Sequence, residues 1–301
     1  MFGKAIEGIN KLWGLKEIFH ILFFWGYTIV INCAFFLWNG EYEAWIKKFE
    51  IIQKDGFKLT IFLTIFIVIF FIFHTIFKWT SSFLIRVYEG YEFPQMISAC
   101  LKDWMYRKRQ KLEEKVNKYP QKLESLTLNY PTESEFIMPT RLGNILKAAE
   151  LYPWIRYDID AVAIWPRLFQ LLTKEQAQGI VSLKNDMVLL LSLSWISYLS
   201  SLVWIVLNWF LISWFVTIVV ILSGLFGYLF YRLSLVPALN YGLMIRVMFD
   251  LYRVPLLKAL GEEKVQNLSE EIEVWQMINN HINKGDLSDK KLLKMFIRKK
   301  E

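Results

Sequence analysis

The feature that most constrains this chain is an uncharged stretch of 45 residues, which runs from Met187 to Tyr231 without one Asp, Glu, Lys or Arg. A helix needs about 20 apolar residues to cross a bilayer, so this stretch is long enough for two crossings. Since 55% of the 301 residues are hydrophobic and only 21% are charged, the composition also excludes a disordered chain. The sequence therefore predicts an integral membrane protein.

Four apolar windows predict four transmembrane helices arranged as two hairpins. The windows are about Ile18–Trp38, Leu59–Phe77, Met187–Leu207 and Leu211–Tyr231, with the turn of the second hairpin around Asn208. The predicted fold class is a mostly all-α integral membrane protein with an α-rich cytosolic domain built from two parts. Its segments are the N-terminal hairpin (1–79), the first cytosolic part (80–185), the second hairpin (186–232) and the second cytosolic part (233–301).

The distribution of basic residues predicts the orientation. Placing both termini and the segment 78–186 inside puts 31 of the 35 Lys and Arg residues in the cytosol, as the positive-inside rule favours. We therefore expect a multi-pass protein of the bacterial inner membrane with both termini cytosolic. The two cysteines, Cys33 and Cys100, are then in a span and in the cytosol, which makes a disulfide between them implausible.

Apolar spacing and helix-start signals predict the elements of the cytosolic parts. A helix is expected over 95–118, and Thr140 is expected to cap another that runs to about Leu151. Ile159–Leu172 is either helical or a strand followed by a helix. Beyond Pro237 a helix is expected to end at Gly261, and Asn267 with Glu270 predicts a capping box. The tail Ser288–Lys300 predicts a basic amphipathic helix, which either lies on an anionic leaflet or packs on the cytosolic domain.

Two blocks of sequence carry a family resemblance. Residues 139–150 have the sequence PTRLGNILKAAE, followed by RYDIDA at 156–161 and WPRL at 165–168; a second block has YG at 241–242 and FDLYR at 249–253. These blocks resemble a signature of an uncharacterised family of bacterial multi-pass membrane proteins, in which two cytosolic blocks flank a membrane hairpin. Asp158 departs from that signature, which usually has Gly there, so the local turn is expected to differ. The resemblance implies membership and no activity.

Basic residues of the cytosolic part predict an anionic ligand. One group is the run Arg107, Lys108 and Arg109, and the other is Arg141, Arg156 and Arg167, which stand among the carboxylates Glu150, Asp158 and Asp160. Buried charges are costly unless paired. The second group therefore predicts either a structural network of Arg–carboxylate pairs or a site for a nucleotide, an oligonucleotide or another phosphate.

Catalytic and metal-binding motifs are missing from the sequence. No Walker loop, GxGxxG, HExxH, CxxC or GxSxG motif occurs. The three histidines are His20, His74 and His281; the first two could form a proton site at the cytosolic interface, or simply bond to backbone and water there. We expect no catalytic residues, no metal site, no cofactor and no enzyme activity.

Serines on the third predicted span form a polar stripe. Ser194, Ser197, Ser201 and Asn208 follow one another at spacings of 3, 4 and 7 residues, which places them on one helical face. The stripe either lets two helices approach closely or lines a pore at the axis of a homo-oligomer, for which we expect a tetramer.

Two functions remain open from the sequence. The first is an oligomeric channel-forming effector gated through its cytosolic domain by an anionic ligand; in architecture it resembles membrane effectors of anti-phage defence. The second is a non-conducting membrane scaffold or sensor that anchors a cytosolic protein partner. Both place the lipid bilayer among the partners of the chain.

Overall fold

The fold is helical throughout the part of the chain that a computed structural model describes. This part comprises residues 83–211, 214–261 and 267–284, with a few single positions between Lys47 and Val68. No strand occurs in these ranges, which confirms the all-α class for them and decides Ile159–Leu172 in favour of helix. The first predicted span, all but a few positions of the second, Cys33, His20, His74 and the amphipathic tail lie outside the described residues.

The described helices follow one another with short connections. After helical residues 83–89 and a turn at Gly90 come α1 (Gln95–Lys118), α2 (Leu123–Asn129), α3 (Arg141–Tyr157), α4 (Ala161–Phe169), α5 (Lys174–Leu211), α6 (Trp214–Leu260) and α7 (Leu268–Lys284). Single 3₁₀ turns, Pro120–Lys122 and Ser134–Phe136, precede α2 and α3.

Helix starts and stops agree with their local chemistry. The Thr140 hydroxyl accepts from Gly143 N–H at 2.9 Å and caps α3, as predicted. Asp160 Oδ1 accepts from the backbone of Val162 and Ala163 at the start of α4. Asn267 Oδ1 accepts from Glu270 N–H at 2.9 Å before α7, and α6 ends just before Gly261, whose φ is +103°. These side chains supply acceptors for amide groups that have no partner within the helix.

Two helices, α5 and α6, are long and apolar enough to cross a membrane. Their most apolar 18-residue segments are only 39% and 22% buried, whereas the core helix of a soluble protein is mostly buried. Side chains such as Leu202, Val203, Ile221 and Leu225 are 56% or more exposed. By length and composition, α5 and α6 are therefore candidate membrane spans.

The structure corrects the predicted limits of these two helices. Helix α5 begins at Lys174 and continues through Asn208 to Leu211, so the predicted turn at Asn208 is wrong and this residue is helical. Helix α6 likewise continues through Pro237 and Pro255. A proline removes a single backbone hydrogen bond, and a helix held by neighbours can continue past it.

The described chain divides into two compact units, with boundaries at Ile85–Arg86, Met187–Val188 and Ser234–Leu235. Within the first unit, α5 and α6 pack through Trp204, Val216 and Val219. The second unit has its own core, in which α3, α4, α6, α7 and the α3–α4 connection contribute large buried side chains; these are Tyr157, Ile159, Ile164, Leu168, Phe249, Leu257, Trp275 and Ile278. A smaller cluster joins Met105 of α1 to Tyr130 and Ile137.

Candidate functional site

The segment Pro139–Asn144 forms a tight joint with the turn that follows residues 83–89. Besides capping α3, the Thr140 hydroxyl lies 2.7 Å from the carbonyl oxygen of Tyr88 and 3.1 Å from that of Glu89, and its proton can be donated to either. One hydroxyl therefore serves the first turn of α3 and the end of the preceding helix at once. This role is structural, because both partners are backbone groups.

Two glycines allow this close approach. A Cβ at Gly143 would lie 2.3 Å from the Glu89 carbonyl oxygen, and one at Gly90 would lie 2.2 Å from Cγ of Pro139. Gly90 also has φ +93°, a conformation that L residues rarely adopt. Both positions thus require glycine because a Cβ would be too close to its neighbours, and Gly90 requires it also because of its positive φ.

Asn144 secures the loop before α3. Its side chain is fully buried, with Oδ1 accepting from Met138 N–H at 3.0 Å and Nδ2 donating to the carbonyls of Met138 and Thr140 at 2.7 and 2.6 Å. A buried amide needs such partners, since an unsatisfied polar group costs about 1–3 kcal/mol. Most of the PTRLGN sequence is therefore explained by the geometry of one helix start.

A titratable carboxyl group lies at the same joint. Burial, together with the nearby Glu150 carboxylate, raises the pKa of Glu89 from 4.5 to about 7, while Arg86 and Lys147 act in the opposite direction. Glu150 itself forms an ion pair with Lys147 at 2.6 Å. The joint therefore includes a group whose charge changes near neutral pH.

A second polar cluster connects α3 to α6 inside the second unit. The Asp250 carboxylate accepts from the Tyr157 hydroxyl at 2.7 Å and from the Tyr152 hydroxyl at 2.9 Å. Burial raises the pKa of Tyr152 to about 12, and its hydrogen bond to Asp250 contributes to the rise. Both tyrosines are therefore held as neutral donors to one carboxylate.

Arginines surround this tyrosine–aspartate cluster. Arg246 is 8% exposed, donates to the carbonyls of Thr127 and Ala148 at 2.7 and 2.9 Å, and lies over the Tyr152 ring at 5.1 Å. The buried Nε of Arg246 has no hydrogen-bond partner, and burial lowers the pKa of the Arg246 guanidinium. Such a cation over an aromatic face gains electrostatic stabilisation.

Arg253 links the cluster to α7. Its guanidinium lies 4.3 Å from the Tyr157 ring centroid, and its Nε lies 2.9 Å from Glu271 Oε1 in an ion pair that is not aligned as a hydrogen bond. The same Glu271 oxygen accepts from Trp275 Nε1 at 3.3 Å. The cluster thus ties three helices together through groups whose partners are other residues of the unit.

The first predicted group of basic residues lies on α1. Arg107 pairs with Asp103, Lys108 lies 3.3 Å above the ring of Trp104, and Arg109 donates to the Thr132 carbonyl at 2.5 Å. Arg107 and Lys108 are exposed, whereas Arg109 is half-buried against the loop before α3. The three residues therefore point to different surroundings.

The second predicted group is distributed along α3 and α4. Arg141 donates to Asn129 Oδ1 at 3.3 Å, Arg156 lies 5.1 Å from the Tyr152 ring, and Arg167 donates to the Ala163 carbonyl at 2.7 Å. Glu150 pairs with Lys147, Asp158 accepts from Gln276, and Asp160 caps α4. These contacts give each of the six residues a local structural partner and do not depend on a common anion.

Asp158 adopts the left-handed conformation that Gly adopts without cost. Its φ and ψ are 55° and 37°, and it ends α3, whose last turn bonds to its backbone N–H. The Asp158 carboxylate accepts from Gln276 Nε2 at 2.5 Å and its carbonyl from Asn279 Nδ2 at 2.6 Å. The departure noted in the sequence thus occupies a glycine-like backbone position and gains one side-chain contact to α7, that with Gln276.

The serine stripe lies between α5 and α6 in the first unit. The Ser194 hydroxyl donates to the Gly227 carbonyl at 2.7 Å, Ser201 to that of Val220 at 3.1 Å, and Ser197 to that of Leu193 at 2.8 Å. Ser194 and Ser197 are fully buried and Ser201 is 8% exposed. The side chain of Asn208, the fourth member, is outside the described residues.

A close glycine contact accompanies the stripe. A Cβ at Gly227 would lie 2.9 Å from the Tyr198 ring, and one at Gly224 would lie 3.8 Å from the Ser201 hydroxyl oxygen. Small residues at such positions let two apolar helices approach closely. In this conformation the serines contribute to helix packing.

The described residues contain no group of three or more His, Cys, Asp or Glu side chains that could hold a metal ion. Cys100 is exposed on α1. Comparisons of the chain with protein-family models, curated proteins and solved structures found no match.

Sequence reasoning missed the cluster around Asp250. Tyr157, Asp250 and Arg253 lie inside the segments that carry the resemblance and Tyr152 lies between two of them, but nothing in their spacing indicates which partner each has. The available signal was the grouping of Asp, Tyr and Arg within a largely apolar helix, since buried polar groups need partners.

Proposed function

We propose that this chain is a non-conducting membrane scaffold or sensor, in which a helical hairpin anchors a helical domain that binds a cytosolic partner. The observation that supports it best is the burial of Ser194, Ser197 and Ser201 between α5 and α6. With their hydroxyls bonded to backbone carbonyls, these serines leave a hairpin whose described outer side chains are largely apolar. Such an exterior suits lipid and offers ions no polar path.

The proposed membrane anchor is the α5–α6 hairpin, because exposing its apolar outer surface to water would be unfavourable. The outer residues of α5 and α6 include Leu199, Leu202, Val203, Ile205, Ile218, Ile221, Leu222, Leu225 and Phe226, each at least 41% exposed. A contiguous apolar surface of this kind is rare on a soluble monomer and indicates a partner or a membrane. In our proposal the bacterial inner membrane covers it, with both termini and the helical domain in the cytosol.

The second unit supplies the binding domain in this proposal. Its core and its Tyr152–Asp250–Tyr157 cluster bind α3, α4, α6 and α7 to one another. Side chains held in this way keep the surface around them in a fixed shape, as recognition of a partner requires. The proposed partner is a cytosolic protein.

A second candidate function is an oligomeric channel, pictured as a tetramer gated by a nucleotide or oligonucleotide. The observation that favours it is the continuity of α5 over 38 residues and α6 over 47, so each helix joins the apolar hairpin to the second unit. A continuous helix can transmit a displacement of the domain to the hairpin. In this candidate the serines would have to leave the α5–α6 contact and face a shared axis.

Thiol accessibility distinguishes the two candidates. In a Cys33→Ser, Cys100→Ser background, Ser197→Cys places a thiol at a fully buried position, and Lys184→Cys supplies an exposed position on the same helix. For the purified protein in nanodiscs, where both sides of the bilayer are accessible, a scaffold predicts that a membrane-impermeant thiol reagent modifies Lys184→Cys only, with or without nucleotides. A channel predicts that Ser197→Cys becomes reactive when the ligand is added.

Current across a planar bilayer is the second measurement that distinguishes the scaffold from the channel. The purified full chain is expected to pass no current in any ligand state if it is a scaffold. A ligand-dependent current that Ser201→Glu shifts toward cations would overturn this proposal and establish the channel, because carboxylates in a pore select cations.

A further inference from the structure

Helix α1 makes few contacts for its length. Of its 24 residues only Met105 is buried, and the inward row at 98, 101, 105, 109, 112 and 116 is the only part of the helix that is not exposed. This row packs Met105 and Leu112 against Tyr130 and Ile137. The remainder of a 24-residue helix faces outward.

One flank of α1 combines apolar, aromatic and basic side chains. We call it the basic–aromatic stripe; its members are Ile97, Trp104, Lys108, Lys111 and Lys115, all of them exposed. At about 100° per residue they fall within about 60° of one another around the helix. Ile97 is 53% exposed and Trp104 is 49% exposed, and Met96 beside them is 87% exposed.

The opposite flank has a different chemistry. Tyr106 and Glu113 lie about 170° from the middle of the stripe, given about 100° per residue. No acidic residue occurs in the stripe, whereas the opposite flank has the acidic Glu113 together with the basic Lys102. The stripe therefore has a net positive charge that the opposite flank lacks.

We propose that the basic–aromatic stripe of α1 docks on the anionic lipid headgroups of the inner leaflet. Ammonium groups near a membrane surface are attracted to acidic lipids, and indole rings prefer the level of the headgroups. Met96 and Ile97 at the start of the helix supply apolar side chains that can enter the acyl boundary. Lys108 lies over the Trp104 ring, so its charge is placed at the level of that indole.

The apolar members favour lipid over nucleic acid as the occupant. An oligonucleotide could stack on Trp104 and bind the lysines, but it offers no apolar phase for Ile97 and Met96. A leaflet accommodates the lysines, the indole and the aliphatic side chains together. The position in the sequence agrees, because α1 begins at Gln95, soon after the predicted end of the second span at Phe77.

This inference rests on the proposed membrane anchoring, and it specifies how the anchored domain meets the leaflet. Docking would restrict the orientation of the second unit at the membrane. It would also make that orientation depend on the content of anionic lipid and on ionic strength.

The test uses the only cysteine of α1 as a probe. In full-length Cys33→Ser, a nitroxide on the exposed Cys100, one turn before Trp104, reports the edge of the stripe. The protein is placed in nanodiscs of phosphatidylcholine alone or with phosphatidylglycerol, and collisions of the nitroxide with a water-soluble nickel chelate are measured. We expect the collision rate to fall several-fold when phosphatidylglycerol is present and to recover at about 1 M salt, where screening is strong.

Matched variants identify the cause of any change. A label at Glu113→Cys, in the background that also has Cys100→Ser, should show the same collision rate in both lipids. The triple substitution of Lys108, Lys111 and Lys115 by Gln should remove the lipid effect on the collision rate at Cys100. Each lysine removed should weaken the docking equilibrium roughly fivefold, the equivalent of about 1 kcal/mol. Circular dichroism of the triple variant checks that the helices are intact.

Three results would overturn the proposal. Equal collision rates at Cys100 in both lipids, with the protein fully incorporated, would refute docking while leaving the anchor in place. Failure of the full chain to enter nanodiscs would refute anchoring and docking together. Protection of Cys100 by a single-stranded oligonucleotide, and not by phosphatidylglycerol, would identify nucleic acid as the occupant of the stripe.

Discussion

The Tyr157 hydroxyl donates a hydrogen bond of 2.7 Å to Asp250, which joins α3 to α6 across 93 residues of sequence. Tyr152 bonds to the same carboxylate from one turn earlier on α3. Since Arg246, Arg253 and Arg156 lie over these two rings, the cluster places positive charge beside a carboxylate that is shared by two phenols. Together with the hydrogen bond from Arg246 to the Ala148 carbonyl, these contacts connect α3 to α6.

Tyr157→Phe is expected to lower the free energy of unfolding by about 1–2 kcal/mol, because it removes a donor to a charged group while the ring stays in place. The exposed Tyr119 provides the matched control, and Tyr119→Phe should leave stability unchanged. Thermal unfolding in detergent, followed by circular dichroism, measures both. Equal midpoints for the two variants would contradict the assigned role of this hydrogen bond.

How much of the fold and of the candidate site could be predicted depends on how far apart in the sequence the interacting residues are. The limits of α1 were predicted correctly, because Leu101, Met105 and Leu112 recur at helical spacing between Pro94 and Pro120. Thr140 and Asn267 were also identified as helix starts, since capping depends on residues three positions apart. Signals within one helical turn are therefore visible in a single sequence.

Longer-range features were not predictable. Helix α3 continues six residues past the predicted end at Leu151, through Pro153, because contacts to α6 and α7 hold it. Its actual stop is Asp158 in a left-handed conformation, a position where Gly is the usual signal. The partners of the serine stripe depend on which helix packs against it, and spacing along one helix gives no information about that.

A steric prediction concerns Gly143. Gly143→Ala should destabilise the protein by about 1–3 kcal/mol or more, because the added Cβ would lie 2.3 Å from a backbone oxygen that cannot move alone. Gly179 is a helical glycine with nothing within 4 Å of a Cβ, so Gly179→Ala should stabilise α5 by roughly 0.5–1 kcal/mol. Opposite shifts of the unfolding midpoint are expected, and a neutral Gly143→Ala would refute the close contact with Glu89.

Substitutions at Asp158 should separate backbone conformation from side-chain contact. Asp158→Asn keeps an acceptor for Gln276 and tolerates a positive φ, so it should be close to neutral. Asp158→Gly loses the acceptor but relieves a left-handed conformation that costs roughly 1–2 kcal/mol. Asp158→Ala loses the acceptor and retains that cost, so it should be the least stable. Any other variant ranking lowest would contradict the assigned left-handed conformation.

The last prediction concerns pH and Glu89. Burial and Glu150 raise the pKa of Glu89 to about 7, so between pH 4.5 and 7 the folded chain binds this proton more tightly than the unfolded chain. Stability contributed by this group is therefore greatest at low pH and is lost as the pH rises through that window. Lys147 and Arg86 face the group and reduce the effect without reversing it.

Glu89→Gln should abolish this pH dependence and stabilise the protein at pH 8. The expected gain is on the order of 1 kcal/mol, after allowance for solvent screening at a half-buried group. Unfolding midpoints of the full chain at pH 5.5 and pH 8 provide the measurement, with the exposed Glu113→Gln as the control. If Glu89→Gln and the unaltered protein lost equal stability between these two pH values, the pH-dependent group would have to lie elsewhere than at the joint between Glu89 and Thr140.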